Sequence, residues 1–255
     1  MNFKVNKKEN FYFILKVVFT LLVILALAAT FSSLSKISTG SLVPAIQLII
    51  IYAVFIWLFI VFQKIFLIAY LKGNGIEICE EQFSEFYANY QIMADKLNIK
   101  KKPKLFIIQQ GGLLNAFAVK FSGKNYIAIY SDIFGIIDEN EDIVKFVIGH
   151  ELGHVKRKHL EKRFWTFPSL IIPFLESAYS RSCEYTCDNI GHSLAPVNSI
   201  NGLLVLAAGK DIYKKVNMET YIRKAKENYT TAVKFAGIFM THPYLPKRIE
   251  NIIKQ

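Results

Sequence analysis

Two long apolar stretches near the amino terminus restrict the folds open to this chain more than any other feature. Residues 11–31 contain one charge, Lys16, and residues 42–71 carry none between Ala45 and Gln63. Each stretch is long enough to cross the ~30 Å hydrocarbon layer of a bilayer as a helix. Two buried core helices are the soluble alternative, but adjacent helices of such uniform apolarity are rare in a domain of this size. The sequence therefore predicts two transmembrane helices, at about 11–31 and 42–71.

The charges beside these stretches predict an orientation. Three lysines lie at positions 4–8, two lie within residues 64–72, and the connection 32–41 carries a single lysine. By the positive-inside rule, both flanks face the cytoplasm. We therefore expect a multi-pass protein of the cell (plasma) membrane, with both termini and residues 73–255 in the cytoplasm. We expect Lys16 to extend toward the inner headgroups. Residues 73–255 hold 24 basic and 19 acidic residues, and their net charge of +5 suits contact with the anionic inner leaflet.

The chain divides into a membrane anchor, residues 1–72, and a globular part, residues 73–255, joined at Lys72-Gly73-Asn74-Gly75. The globular part is large enough for one core. Apolar periodicity predicts helices around 80–97, 142–163, 176–193, 199–209, 218–239 and 245–254, and strands at 105–109, 115–121 and 126–130. The expected fold class is therefore α+β, with two transmembrane helices followed by a mostly helical domain that carries a small sheet with an edge hairpin.

The motif His150-Glu151-Leu152-Gly153-His154 carries the clearest chemical signal. On a helix, histidines at i and i+4 project from one face, so both rings can bind one zinc ion. Glu151 can then act as a general base toward water at the metal. A surface helix with two solvated histidines is the alternative, but the apolar residues on both sides of the motif favour a packed helix.

A catalytic zinc needs a third protein ligand. Glu184, thirty positions after His154, is the preferred residue, and a surface salt bridge is its alternative. Asp188 lies one helical turn further on and can accept the second N–H of a zinc-bound histidine. His159 is a rival ligand, although the metzincin pattern would require a histidine at the position of Leu160.

Three further features leave alternatives open. Cys79, Cys183 and Cys187 are expected to be thiols in a reducing cytoplasm, and the last two are packing residues, redox groups or extra metal ligands. Residues 164–175 are apolar and uncharged but too short to span, so they are buried in the domain or dip into the inner leaflet. The basic run at 100–104 has no interleaved aromatic residues, which indicates a solvated turn and no nucleic-acid binding.

Four local signatures resemble those of the HtpX-like membrane zinc metalloproteases, gluzincins related to the CAAX prenyl endopeptidases. The signatures occur in the family's order: Asn115-Ala116-Phe117-Ala118; Gly149-His150-Glu151-Leu152-Gly153-His154; Ser180-Arg181 with Glu184-Tyr185 and Asp188; and Thr241-His242-Pro243 with Arg248-Ile249. HtpX itself carries a second pair of spans between the histidine motif and the third ligand. Here that interval holds only the apolar residues 164–175.

The resemblance implies a zincin-type zinc metalloendopeptidase with one Zn²⁺ per chain, held by His150, His154 and Glu184, with Glu151 as the general base. It implies that an extended substrate pairs with the strand at 115–118, for which an ordinary core strand is the alternative. It implies an oxyanion role for His242, for which helix capping is the alternative, and it implies that Arg248 secures the last helix against the site.

The expected substrates are membrane or membrane-adjacent proteins, because the anchor confines the site to the vicinity of the inner leaflet. The resemblance implies a role in protein quality control. A dedicated prenyl-type peptide-processing protease is one alternative. A non-catalytic membrane-bound peptide binder or chaperone is another, although structural zinc needs no general base such as Glu151. The sequence does not specify the oligomeric state.

Overall fold

The computed structural model describes residues 2–34, 42–109 and 116–255, and these residues form a mostly helical α+β protein, which confirms the predicted fold class. Two long helices come first, α1 (Lys7–Leu34) and α2 (Leu42–Asn74). The strands are β1 (Ile76–Ile78), β2 (Lys104–Ile108), β3 (Ala116–Phe121) and β4 (Lys124–Tyr130). The remaining helices are α3 (Ser84–Lys96), α4 (Ser131–Phe134), α5 (Ile137–Lys156), α6 (His159–Trp165), α7 (Leu175–Leu194), α8 (Ser199–Ala208), α9 (Met218–Glu227), α10 (Thr231–Phe239) and α11 (Leu245–Ile253).

The two leading helices have the length and composition of membrane spans. The segments Lys7–Thr30 and Ile46–Asn74 are each apolar enough to cross a bilayer. Their exposed faces consist of large apolar side chains, such as Leu25 in α1 and Phe55 in α2. Such surfaces are costly in water and suit a lipid environment.

The first turns of α1 pack against α7, and the two helices run antiparallel. The backbone N–H of Asn6 donates to Thr186 Oγ1 over 3.0 Å, and Phe13 contacts the ring of Tyr179 further along both helices. Lys16 then forms an ion pair with Glu176 in the first turn of α7. The expectation that Lys16 extends to the lipid headgroups is therefore wrong, because Lys16 is buried and the half-buried carboxylate of Glu176 holds its ammonium group inside the protein.

The sheet is mixed and has the strand order β1-β2-β4-β3, so β3 forms one edge. The central strands β2 and β4 pair in parallel and bury both of their faces, which explains their continuous apolar sequences. Leu105 and Ile127 face the main core with the helices. On the opposite face, Phe106 and Ala128 pack with Leu71 from the end of α2. The second membrane helix is thus fixed to the sheet, as the first is fixed to α7.

Helices α5 and α7 form the most extensive contact among the described elements, and small residues allow it. A Cβ on Gly149 would lie 3.1 Å from Gly191 Cα, and a Cβ on Gly153 would lie 3.1 Å from Cys187 Cα. Glycine therefore allows the two backbones to approach at the positions that flank His150. This crossing determines which side chains of the two helices face each other.

Two predicted helices are each divided in the structure. The helix expected at 142–163 ends at Lys156, because Lys158 adopts a left-handed conformation (φ 55°) from which α6 starts in a new direction. The helix expected at 218–239 becomes α9 and α10, since the Thr230 side chain accepts a hydrogen bond from Val233 N and starts a new helix. The three-residue strand β1 is too short to produce a periodic pattern and was not predicted.

The segment 164–175 is not buried in the domain. It contains the end of α6 and a 3₁₀ turn, Phe167–Ile171, which packs against α1. Its large apolar side chains point mostly outward, while Ser169 and Leu175 are buried.

Candidate active site

The predicted metal ligands come from the two helices that cross at the glycine contact. His150 and His154 lie one turn apart on α5, and Glu184 lies on the facing side of α7. His150 and Glu184 are buried, and His154 is half-buried. Because the helices approach closely at Gly149 and Gly153, one carboxylate can reach both imidazoles.

Both histidines direct the same ring atom toward Glu184. His150 Nε2 lies 3.4 Å from Glu184 Oε2, and His154 Nε2 lies 3.4 Å from Glu184 Oε1. Zinc bonds of ~2.0–2.1 Å in tetrahedral geometry require neighbouring ligand atoms to lie about 3.4 Å apart. Two imidazole nitrogens and one carboxylate therefore fit zinc in both chemistry and spacing.

Asp188 and Arg248 support His150 from behind. His150 Nδ1–H donates to Asp188 Oδ1 over 2.9 Å. Arg248, on α11, donates to both oxygens of the same carboxylate, from Nε over 2.8 Å and from Nη2 over 2.6 Å. All three side chains are buried. The arrangement is a carboxylate–histidine pair of the kind that orients metal-ligating histidines.

The carboxylates of this cluster favour positive charge in its interior. Burial would lower the pKa of His150, but Glu184 and Asp188 outweigh burial and raise that pKa to about 10. Burial would raise the pKa of Asp188, but the Arg248 guanidinium and the His150 ring hold it below its usual value. Glu184 is likewise held well below its usual pKa against the effect of burial, mainly by His150 and His154. A cation is therefore electrostatically favoured at this point.

His154 has a different supporting partner. His154 Nδ1 lies 3.0 Å from Nδ1 of His159, which is buried. His159 Nε2 lies 3.2 Å from Glu9 Oε1, on α1. Burial lowers the pKa of His159 to about 4, so its ring is neutral and can accept the His154 N–H. His159 thus lies behind His154, on the side away from Glu184.

Cys187 also lies near the two histidines, and the three could form an alternative ligand group. However, its Sγ lies 3.8 Å from His159 Nδ1, on the side of the Nδ1 atoms. Burial raises the pKa of this thiol well above its usual value. The geometry favours Glu184, which faces the Nε2 atoms of both histidines, and Cys187 packs against Gly153.

A cleft of about 380 Å³ opens over this cluster. Its wall includes Glu151 from α5, Ala116, Phe117 and Ala118 from the edge strand β3, and His242 from the segment before α11. His242 is 63% exposed, and its Nε2 lies 3.6 Å from Glu184 Oε1. Asn115, which was also predicted to bind substrate, lies outside the described residues.

The sequence of the chain matches a known peptidase family. The model for "Peptidase family M48" matches residues 80–171 and 164–255, which is more than half of the chain. The chain belongs to peptidase family M48. M48 enzymes are in general zinc metallopeptidases, and the M48 match confirms the resemblance to HtpX-like metalloproteases at the level of the family.

One solved structure supports the fold of this M48 chain. The crystal structure of S. mikatae Ste24p is similar, with a TM-score of 0.52 and 14% sequence identity. The match covers 94% of the present chain and 66% of Ste24p, so this M48 chain spans about two thirds of the length of that protein. No curated protein sequence matches the chain.

The sequence motifs include most residues of this cluster, but they do not indicate one connection to α1. The structure brings His150, His154, Glu184, Asp188 and Arg248 together. It also brings Glu9 to His159, although 150 positions separate them in the chain. A carboxylate within the first turn of an apolar helix was the available signal, because Glu9 is the single acidic residue before position 77.

Proposed function

We propose that the protein is a membrane-anchored zinc endopeptidase that hydrolyses peptide bonds of membrane or membrane-adjacent proteins and acts in protein quality control. The observation that carries this proposal is the convergence of His150 Nε2 and His154 Nε2 on Glu184, each at 3.4 Å. Glu151 lies in the wall of the same cleft. A metal site with an adjacent carboxylate in an open cleft supports hydrolysis. A purely structural metal site requires neither the cleft nor the carboxylate of Glu151.

In this proposal, His150, His154 and Glu184 would hold one Zn²⁺ per chain. When bound, the metal supplies Lewis acidity, which lowers the pKa of water and polarises a carbonyl group. Glu151 takes a proton from the attacking water and passes it to the leaving amine. His242, at the exposed side of the cleft, donates to the developing oxyanion, a contribution worth ~3 kcal/mol in comparable sites.

We propose that the strand β3 orients the substrate. An edge strand can add one further strand to its sheet, and β3 borders the cleft. We propose that an extended polypeptide pairs along Asn115, Ala116, Phe117 and Ala118, so that its backbone crosses the cleft. Asp188 and Arg248 hold His150 in position, and the latter also fixes α11 against the site.

The remaining parts of the proposal concern organisation in the cell. Residues 1–72 act as the anchor and residues 73–255 as the protease domain. The lysines beside the spans support a cytoplasmic location for the domain and both termini of a multi-pass protein. Protein or peptide substrates and the bilayer are the expected partners.

Replacement of the proposed general base tests the function. The purified full chain should cleave casein in a reaction that chelators stop, and Glu151→Gln should bind zinc with unchanged stoichiometry but lose cleavage. Glu85→Gln, an exposed carboxylate in the first turn of α3, is the matched control and should retain activity. Cleavage by Glu151→Gln at the wild-type rate would contradict the assignment, and zinc binding without any cleavage by the wild type would favour a peptide binder.

A further inference from the structure

An apolar segment, residues 164–175, runs from the end of α6 to the first residue of α7. Residues 164–175 contain no charged side chain. Trp165 is 75% exposed. The other exposed large side chains are also apolar: Phe164, Phe167, Leu170, Ile171 and Phe174. A contiguous apolar surface of this kind marks an interaction site, because single exposed apolar residues are common but clusters are not.

The last turns of α10 enlarge this surface. Phe235, Ile238 and Phe239 are exposed there. The ring of Phe239 contacts the ring of Phe174 edge to face, with 4.9 Å between their centroids. Two segments that are distant in sequence therefore form one surface, residues 164–174 and 235–240, which we call the apolar rim.

Two ion pairs determine which part of α1 lies beside the apolar rim. Arg163 Nε lies 2.9 Å from Glu176 Oε1, so this ion pair joins the two ends of the segment 164–175. Lys16 of α1 pairs with the second oxygen of Glu176. Because α1 and α7 run antiparallel, the residues before Glu176 lie beside Lys16 and the later turns of α1. The packing of the 3₁₀ turn against α1 agrees with this position.

Lys16 also marks a boundary in the composition of α1. It is the last charge before an uncharged stretch that extends to residue 35. As a helix, residues 17–34 measure about 27 Å, close to the ~30 Å thickness of the hydrocarbon layer. With α1 across the bilayer, Lys16 lies at the inner boundary of the hydrocarbon layer. The apolar rim then lies at the same level as Lys16 or deeper in the lipid.

We propose that the apolar rim inserts into the inner leaflet of the bilayer that α1 and α2 cross. The inference rests on the membrane anchoring in the proposed function. Continuity with α1 favours lipid over a protein partner, and tryptophan and phenylalanine are suited to the bilayer interface. Arg163 and Glu176, at the base of the rim, also line the cleft. The cleft therefore opens at the bilayer surface, where a polypeptide leaves the lipid.

Tryptophan fluorescence of the full chain tests this proposal, because Trp57 and Trp165 are its two tryptophans. Trp57→Phe leaves Trp165 as the single reporter in vesicles of phosphatidylcholine and phosphatidylglycerol. We expect blue-shifted emission that is quenched by lipids brominated near the headgroup and protected from iodide on both sides of the membrane. Trp165→Phe reports Trp57 in α2 as the lipid-exposed control. Val197→Trp, added to a chain lacking both tryptophans, reports a solvent-exposed loop.

Each result decides one question. Quenching of Trp165 by iodide and not by brominated lipid would overturn the proposal and place the rim in water. Protection of Trp165 from both quenchers would also overturn it and would indicate a protein cover, such as a second copy of the chain. Trp57 lies near the middle of α2, so its control uses lipids brominated near the end of the acyl chain. If Trp57 is not quenched by these lipids, the membrane anchoring of the proposed function fails, whereas an isolated failure at Trp165 leaves the anchored protease intact.

Discussion

Replacement of Asp188 should affect folding and zinc binding through two separate contacts. Its carboxylate accepts hydrogen bonds from His150 Nδ1 and from two nitrogens of Arg248, and all three groups are buried. Asp188→Ala would leave the Arg248 guanidinium without its closest counter-charge in the interior. Breaking a buried ion pair in this way costs about 3–5 kcal/mol.

A second carboxylate near Arg248 places the expected cost of Asp188→Ala at the lower end of that range. Arg248 Nη1 also lies 3.5 Å from Glu184 Oε2, so a second carboxylate remains near the guanidinium. We therefore expect the lower end of the range, about 3 kcal/mol, which corresponds to a fall in Tm of about 6–12 °C for a chain of this size. The loss of the His150 contact should weaken zinc binding by about 10–100-fold.

Thermal unfolding in detergent with a chelator measures the stability effect without a contribution from bound metal. Competition with a chromophoric chelator measures the zinc affinity. The double variant Asp188→Leu, Arg248→Met removes both charges and should recover most of the stability while zinc binding stays weak. Recovery of zinc affinity in the double variant, or wild-type stability of Asp188→Ala, would refute the reasoning.

Three further outcomes follow from the site and the helix crossing. His159→Ala should weaken zinc binding by about 10–100-fold in the same competition assay, because His154 loses the acceptor for its Nδ1–H; unchanged affinity would contradict this role. Gly153→Ala should lower the free energy of unfolding by about 1–2 kcal/mol, since the new methyl group would lie 3.1 Å from Cys187 Cα and Sγ. Gly73→Ala, which meets nothing within 4 Å, is the control and should cause no loss. Zinc at about 100 times its Kd should stabilise the full chain by about 2.7 kcal/mol over the chelated protein in thermal unfolding, and no shift would contradict a metal site.

Local patterns predicted most of the fold because periodicity depends on neighbouring residues. The helices α5 and α7 and the strands β3 and β4 were visible in this way. The divisions at Lys158 and Thr230 were not, because a left-handed residue or a capping side chain interrupts a helix without altering its apolar pattern. The burial of Lys16 could not be predicted either, since its partner Glu176 is distant in sequence.

The site shows the same distinction between local and distant information. The spacing of His150 and His154 predicts one face of a helix. Glu184 and Asp188 were chosen from their positions further along the chain, and the family resemblance supports Glu184 and adds Arg248. The relation of His159 to His154 depends on the turn at Lys158, which redirects the chain after α5. No sequence rule gives that direction, so the sequence alone predicts His159 only as a rival ligand.

The buried carboxylate of Glu9 makes the folded domain depend on the first membrane helix. Glu9 is fully buried, where its carboxylate is 2.9 Å from Arg157 and 3.2 Å from His159, although it belongs to α1. The first membrane helix is therefore also a wall of the folded domain. A fragment that starts after α2 would lose this carboxylate and leave Arg157, His159 and the inner face of α7 uncovered. Shedding of a working soluble fragment is thus incompatible with the architecture, and exchange of α1 for an unrelated anchor should damage the domain as well as its attachment.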